Sequence, residues 1–183
     1  INEVHAFAMF DYYYSKGGKV FDTAYIYNHG LSDKYLGDWI NSRNLTDVVV
    51  LGKGAHTPDC YPDKIRPQIE ESLSRGNIDK LDIYCLHRDN LDVPVTEFID
   101  ALNDCKKEGL IDVLGASNWE LERFKSANDY AHEQGKSGFK VLSNNFSLAR
   151  MIEPVWPGCF SCDENYLEYL KDTKGKRVAA FGY

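Results

Sequence analysis

Phe21-Asp22-Thr23-Ala24-Tyr25-Ile26-Tyr27 is the stretch from which the rest of the chain is read. A short apolar run, Val20 to Ala24, carries the ionisable Asp22, and a polar loop follows at once. The same form recurs downstream, where Val48 to Lys53 ends on a lysine and Leu81 to His87 ends on a histidine. Each run predicts a buried parallel strand with a polar side chain at its carboxyl end, which is where active sites form in α/β folds.

Helical patterns separate these runs. Glu3 to Ser15, rich in aromatic and small residues, precedes Gly17-Gly18 and predicts a helix with a glycine stop. Behind Ser32, a suitable N-cap, Tyr35, Leu36, Trp39 and Ile40 recur at helical spacing as far as about Asn44. Ile65, Ile69 and Leu73 mark a helix from Pro62 to Gly76, and Val95, Phe98, Leu102 and Cys105 another from Pro94 to Gly109. Leu121, Phe124, Ala127 and Ala131 mark a helix that stops at Gly135, and Tyr166 to Leu170 a short last one. Further strands are expected at Asp112 to Ala116, Val141 to Asn145 and Val178 to Tyr183, with a long loop from Met151 to Cys162.

Strand and helix therefore alternate, with a strand roughly every 30 residues, the rhythm of a parallel βα sheet. No linker divides residues 1–183, so a single domain is expected. A closed (β/α)₈ TIM barrel needs eight strands and typically about 250 residues. About six strands are legible here, so the expected fold is a (β/α)₈ barrel that is incomplete in this chain, lacking its first strand and its C-terminal βα units.

The formal charge of −7 argues against general nucleic-acid binding, which needs a basic face to replace phosphate counterions. No apolar run reaches the roughly 18 residues of a membrane span, so no membrane association is expected. The number of cysteines, five, is odd, and Cys60, Cys85 and Cys105 are scattered singly, which fits reduced thiols in a cytoplasmic protein. Cys159-Phe160-Ser161-Cys162 has the spacing of half a zinc site, but no second pair completes it, so no metal is expected.

Side chains two apart on a strand share a face, so Asp22 sits with Val20, Lys53 with Leu51 and Val49, and His87 with Cys85 and Ile83. On neighbouring strands this brings a carboxylate, an ammonium and an imidazole to the mouth of one cavity. Tyr27 lies far enough past Asp22 for its loop to turn back over that mouth; Tyr25 is its competitor. A phenol, with a reference pKa of about 10, is a poor acid at neutral pH, and a cation close by makes its proton easier to give. Lys53 can be that cation, Asp22 can keep it charged, and His87 can hydrogen-bond a substrate carbonyl oxygen.

Phe21-Asp22-Thr23-Ala24 followed by Tyr27, then Leu51-Gly52-Lys53-Gly54, Leu86-His87-Arg88 and Gly115-Ala116-Ser117-Asn118 resemble the aldo-keto reductase family in order and interval, over nearly the whole chain. The resemblance implies a barrel in which hydride passes from NADPH, in preference to NADH, to a small-molecule carbonyl substrate. It implies Asp22, Tyr27, Lys53 and His87 as the catalytic tetrad, with Tyr27 the proton donor. Ser117 and Asn118 match the pair that holds the nicotinamide carboxamide, and Tyr183 the aromatic on which that ring stacks. Where the family usually has a glutamine as third carboxamide partner, this chain has Ser143 followed by Asn144 and Asn145.

Trp156, in the long loop, is a candidate wall of the substrate pocket, and His29 and His56 lie in loops near the mouth. Rival readings remain at this stage. Lys53 at a barrel strand end could instead form a Schiff base in a lyase or aldolase, the chain could be a non-catalytic nucleotide-binding subunit, and Ser117-Asn118 could merely cap a helix. Nothing in the sequence specifies an oligomeric state.

Overall fold

Strands buried on both faces need a helical layer outside and a packed interior inside. The computed structural model, which describes residues 2–171 and 177–183, supplies both. Its six strands are β1 (Val20–Asp22), β2 (Val49–Gly54), β3 (Leu81–Leu86), β4 (Ile111–Ser117), β5 (Val141–Ser143) and β6 (Ala179–Ala180). They lie parallel and in sequence order, curling into a partial (β/α)₈ barrel. The helices are α1 (Glu3–Ser15), α2 (Leu31–Ser42), α3 (Pro62–Gly76), α4 (Val95–Lys107), α5 (Leu121–Glu133) and α6 (Glu164–Lys171), with a 3₁₀ turn at Tyr27–Gly30.

The period-2 alternation of the strands divides the core in two. Phe21, Val50, Tyr84, Leu86, Leu114 and Leu142 face outward, against helix residues such as Trp39, Ile69, Phe98 and Phe124. Leu51, Ile83, Cys85 and Val141, flanked by Val49, Val113 and Phe181, face the barrel interior. The outer layer carries the larger side chains. Trp39, Phe98 and Phe124 are fully buried there, each contributing about 2–3 kcal/mol by burial. Where α2 crosses α3 the backbones nearly touch, and a Cβ on Gly37 would lie 1.8 Å from the Gly76 carbonyl oxygen.

Element ends differ from the sequence expectation where the sheet stops pairing. The first strand ends at Asp22, not Ala24, because the chain turns into the Tyr27 loop. The fifth ends at Ser143, not Asn145, and Asn145 instead forms a separate bridge with Ser161. With only three residues in β5 to pair against, the last strand shrinks from Val178–Tyr183 to Ala179–Ala180. Ser32 is not the cap of α2, which begins one residue earlier behind Gly30 at φ +86°; a Cβ there would strike the Arg75 guanidinium at 2.6 Å. Among the described residues no helix is long and apolar enough to cross a membrane.

Candidate active site

The register explains why distant residues meet. Asp22 pairs with Leu51, and Lys53 lies two residues further on; Lys53 pairs with Cys85, and His87 lies two residues beyond that. Steps of two keep every side chain on the same face, so the three groups climb diagonally along the inner wall. Cys85 pairs with Gly115 and Leu86 with Ala116, which sets Ser117 level with His87, and Ser117 pairs with Ser143. Backbone bonds extend the ladder past the strand ends, from Tyr25 N to Lys53 O (2.7 Å) and from His87 N to Gly54 O (2.6 Å).

Lys53 is 4% exposed, and its Nζ donates to Asp22 Oδ1, whose half-exposed carboxylate compensates the buried ammonium charge. The Tyr27 ring lies with its centroid 5.0 Å from that ammonium. It also meets the His87 ring edge-on, at 5.5 Å and 82°. Tyr25 is turned elsewhere, its hydroxyl donating to Glu71 Oε2 at 2.8 Å. Of the two tyrosines it is Tyr27 that lines the cavity.

His87 is buried, and its Nδ1 has no hydrogen-bond partner among the described residues. Burial, helped by the nearby charges of Lys53, His56 and Arg88, pushes its pKa down to about 3. The imidazole is therefore neutral near pH 7, a hydrogen-bond donor that does not compete as an acid. His56 packs edge-on against it at 4.9 Å, while its own Nδ1 is held by the Thr57 carbonyl at 2.8 Å. His29, at φ +55° in the 3₁₀ turn, is not part of the cavity lining.

A polar brace holds the Tyr27 loop from outside. Buried Asp33 accepts from Thr23 Oγ1 at 2.6 Å and from Ser72 Oγ at 2.8 Å, joining the end of β1 to α2 and α3. Arg75 on α3 donates to the Tyr25 carbonyl at 2.8 Å and covers the Tyr25 ring at 4.4 Å. Two left-handed residues, Asn28 (φ +50°) and His29 (φ +55°), then bring the chain round to Gly30. Asn tolerates that conformation better than most residues.

The cavity occupies about 380 Å³, within the usual range for small-ligand sites, and is lined by Asp22, Tyr27, Lys53 and His87 together with Ser117, Asn118, Ser143, Trp156 and Tyr183. Ser117 Oγ donates to the Ser143 carbonyl at 2.8 Å, and Asn118 Nδ2 donates to Ser117 Oγ at 3.0 Å. Asn118, at φ +58°, accepts on Oδ1 from the Tyr183 hydroxyl and from the Phe160 N–H. Asn144 turns away to donate to the Trp119 carbonyl, whereas Asn145 Nδ2 reaches the Tyr183 carbonyl at 2.7 Å. Trp156 stands at the rim, 62% exposed. A larger hollow of about 810 Å³ between α5 and α6 has four carboxylates, Glu120, Glu122, Asp163 and Glu168, in its lining and brings no comparable set together.

Three lining residues, Arg88, Cys159 and Gly182, were not singled out as site residues from the sequence. Arg88 directly follows His87, and its Nη1 donates to Cys159 Sγ at 3.2 Å. Burial opposes ionisation of the Cys159 thiol, but hydrogen bonds from Tyr183 and Arg88 outweigh it and hold the thiol below its ordinary range. The Cys-x-x-Cys motif thus places one cysteine against the site. Among the described residues no group of histidine, cysteine and carboxylate side chains could hold a metal ion.

The model of the aldo/keto reductase family matches residues 1–179. The chain belongs to this family. Norsolorinic acid reductase B of Dothistroma septosporum is 28% identical, over 96% of this chain and 53% of that protein. The probable aryl-alcohol dehydrogenase AAD4 of Saccharomyces cerevisiae is 26% identical, over 81% of this chain and 50% of that protein. The aldo-keto reductase ausK of Aspergillus calidoustus is 29% identical, over 81% and 41% respectively. This aldo/keto reductase chain spans about half the length of the curated relatives it matches.

Proposed function

We propose that the protein reduces an aldehyde or ketone to an alcohol, with Tyr27 as proton donor and NADPH as reductant. The observation that carries this reading is the buried Lys53 ammonium, tied to Asp22 and 5.0 Å from the Tyr27 ring, with neutral His87 edge-on to the same ring. A carbonyl oxygen placed between the Tyr27 hydroxyl and the His87 imidazole would receive a proton from one and a hydrogen bond from the other. Lys53 would then stabilise the phenolate left behind. Asp22 acts as a positioning residue that sets the direction of Lys53.

NADPH, when bound, supplies the hydride that ends on the carbonyl carbon. Ser117, Asn118 and Ser143 would hold its carboxamide, which needs donors and acceptors of the kind that their buried hydroxyl and amide groups offer. The Tyr183 hydroxyl donates to Asn118 Oδ1, and a carboxamide N–H accepted at that oxygen would take the place of this bond. The names of relatives, reductases and aryl-alcohol dehydrogenases, support carbonyl–alcohol chemistry. The lyase alternative needs a free amine at Lys53, and the bond to Asp22 counts against it.

The test is steady-state NADPH oxidation by the full-length protein with a generic aldehyde. Tyr27→Phe is expected to lose at least about a hundredfold in kcat, and undiminished turnover would remove Tyr27 as the acid.

A further inference from the structure

Among the charged side chains of the cavity, Asp22, Lys53 and Arg88, the first two neutralise each other. Arg88 is left without a carboxylate among the described residues, and its position makes this unusual. Arg43, Arg66, Arg75 and Arg123 each have a carboxylate partner, and Arg150 and Arg177, which show none among the described residues, are exposed where Arg88 is half-buried. The carboxylate next in sequence, Asp89, is taken by Arg123 at 2.5 and 2.9 Å. Arg88 itself is half-buried, and its side-chain contacts are a long one to the Gly158 carbonyl at 3.4 Å and one to Cys159 Sγ at 3.2 Å. Both come from Nη1, so the rest of the planar five-donor fork stays available.

We infer that Arg88 is a specificity-determining residue that receives an anionic group on the substrate, and that the preferred carbonyl compounds are short aldehydes or ketones bearing a carboxylate. This rests on the reductase reading above. A half-buried guanidinium without a carboxylate partner attracts an anion more strongly than a solvated surface arginine does. Because Arg88 follows His87 directly, its carboxylate site lies within one small molecule's length of the carbonyl site. A substrate the size of a single ring would reach both. Trp156 at the rim offers the apolar wall against which such a ring packs.

The experiment compares 2-, 3- and 4-formylbenzoate, each with its matching neutral formylbenzamide, as substrates of the full-length protein with NADPH. At least one formylbenzoate is expected to exceed its amide in kcat/KM by about tenfold, mainly through KM. In Arg88→Met that ratio falls to near one, Arg88→Lys retains part of it, and added salt lowers it in the wild type. Amides reduced as well as every formylbenzoate, or a ratio unchanged in both variants, would overturn the inference and leave the reductase reading standing. Failure to reduce either class of compound would remove the reductase reading itself.

Discussion

Acidification from about pH 7.5 to about pH 5 should weaken this fold through one side chain. Burial and the charges of Lys53, His56 and Arg88 hold the His87 imidazole at a pKa of about 3, against an ordinary value of 6.5. The unfolded chain takes up this proton below about pH 6.5, while the folded chain refuses it until about pH 3. His87 therefore contributes stability that is whole above pH 6.5 and is lost progressively as pH falls. At pH 5 the unfolded imidazole is about 97% protonated and the folded one is still neutral, which favours unfolding by about 2 kcal/mol. That figure hardly depends on how far below 5 the folded value lies, because only the unfolded state has yet bound the proton. The paired carboxylates Asp11, Asp47 and Asp100, lowered chiefly by hydrogen bonds from Arg43, Lys19 and Lys136, lose their contribution only below their ordinary 3.8. They stay outside this window. The assay is urea unfolding of wild type and His87→Gln at both pH values, since glutamine keeps a donor but cannot take up the charge. The wild type should lose about 2 kcal/mol more than the variant, roughly a molar shift in urea midpoint. Equal losses in the two proteins would refute the reasoning.

The close crossing of α2 over α3 predicts that Gly37→Ala, whose Cβ would sit 1.8 Å from the Gly76 carbonyl oxygen, destabilises the protein. The expected cost is about 3 kcal/mol, read from the same urea curves. Arg75→Met releases the Tyr25 carbonyl and the cover over Gly30, freeing the loop that presents Tyr27. Carbonyl reduction should fall about tenfold in kcat with little change in KM, and Arg75→Lys should recover part of it. An unaltered kcat would mean that the brace serves stability alone.

How much of this was legible in the sequence depended on whether a feature was local. β2 and β3 were readable because strands covered on both faces are mostly apolar, with Asp82 alone breaking the β3 run before its end, and a lysine or histidine closing such a run stands out. Strand ends were harder, since pairing stops where the neighbour stops, and β6 is short because β5 is. Parity gave the face on which Lys53 and His87 lie but not the register, and a slip of one residue would have sent either to the helical layer. The left-handed pair Asn28 and His29 had a local cue in Asn-His-Gly, enough to suggest a turn but not where it would carry Tyr27. The Arg88–Cys159 contact joins loops 71 residues apart and leaves no periodic trace.

The two-residue step between neighbouring strands links these observations. A parallel sheet that closes into a barrel must shear, so positions of equal height climb along successive strands. A row of side chains following that climb stays on the inner wall and at one level of the cavity. Asp22, Lys53 and His87 occupy such a row, each two residues beyond the partner of its neighbour, and Ser117 stands level with His87 on the next strand. Groups separated by some 30 residues in sequence are thereby held by backbone ladders rather than by side-chain packing alone. The Asp22–Lys53 bond then has its direction set by the sheet. Tyr27 and Arg88 stand on loops leaving two of these strand ends, and loops can vary in sequence while the row beneath stays fixed.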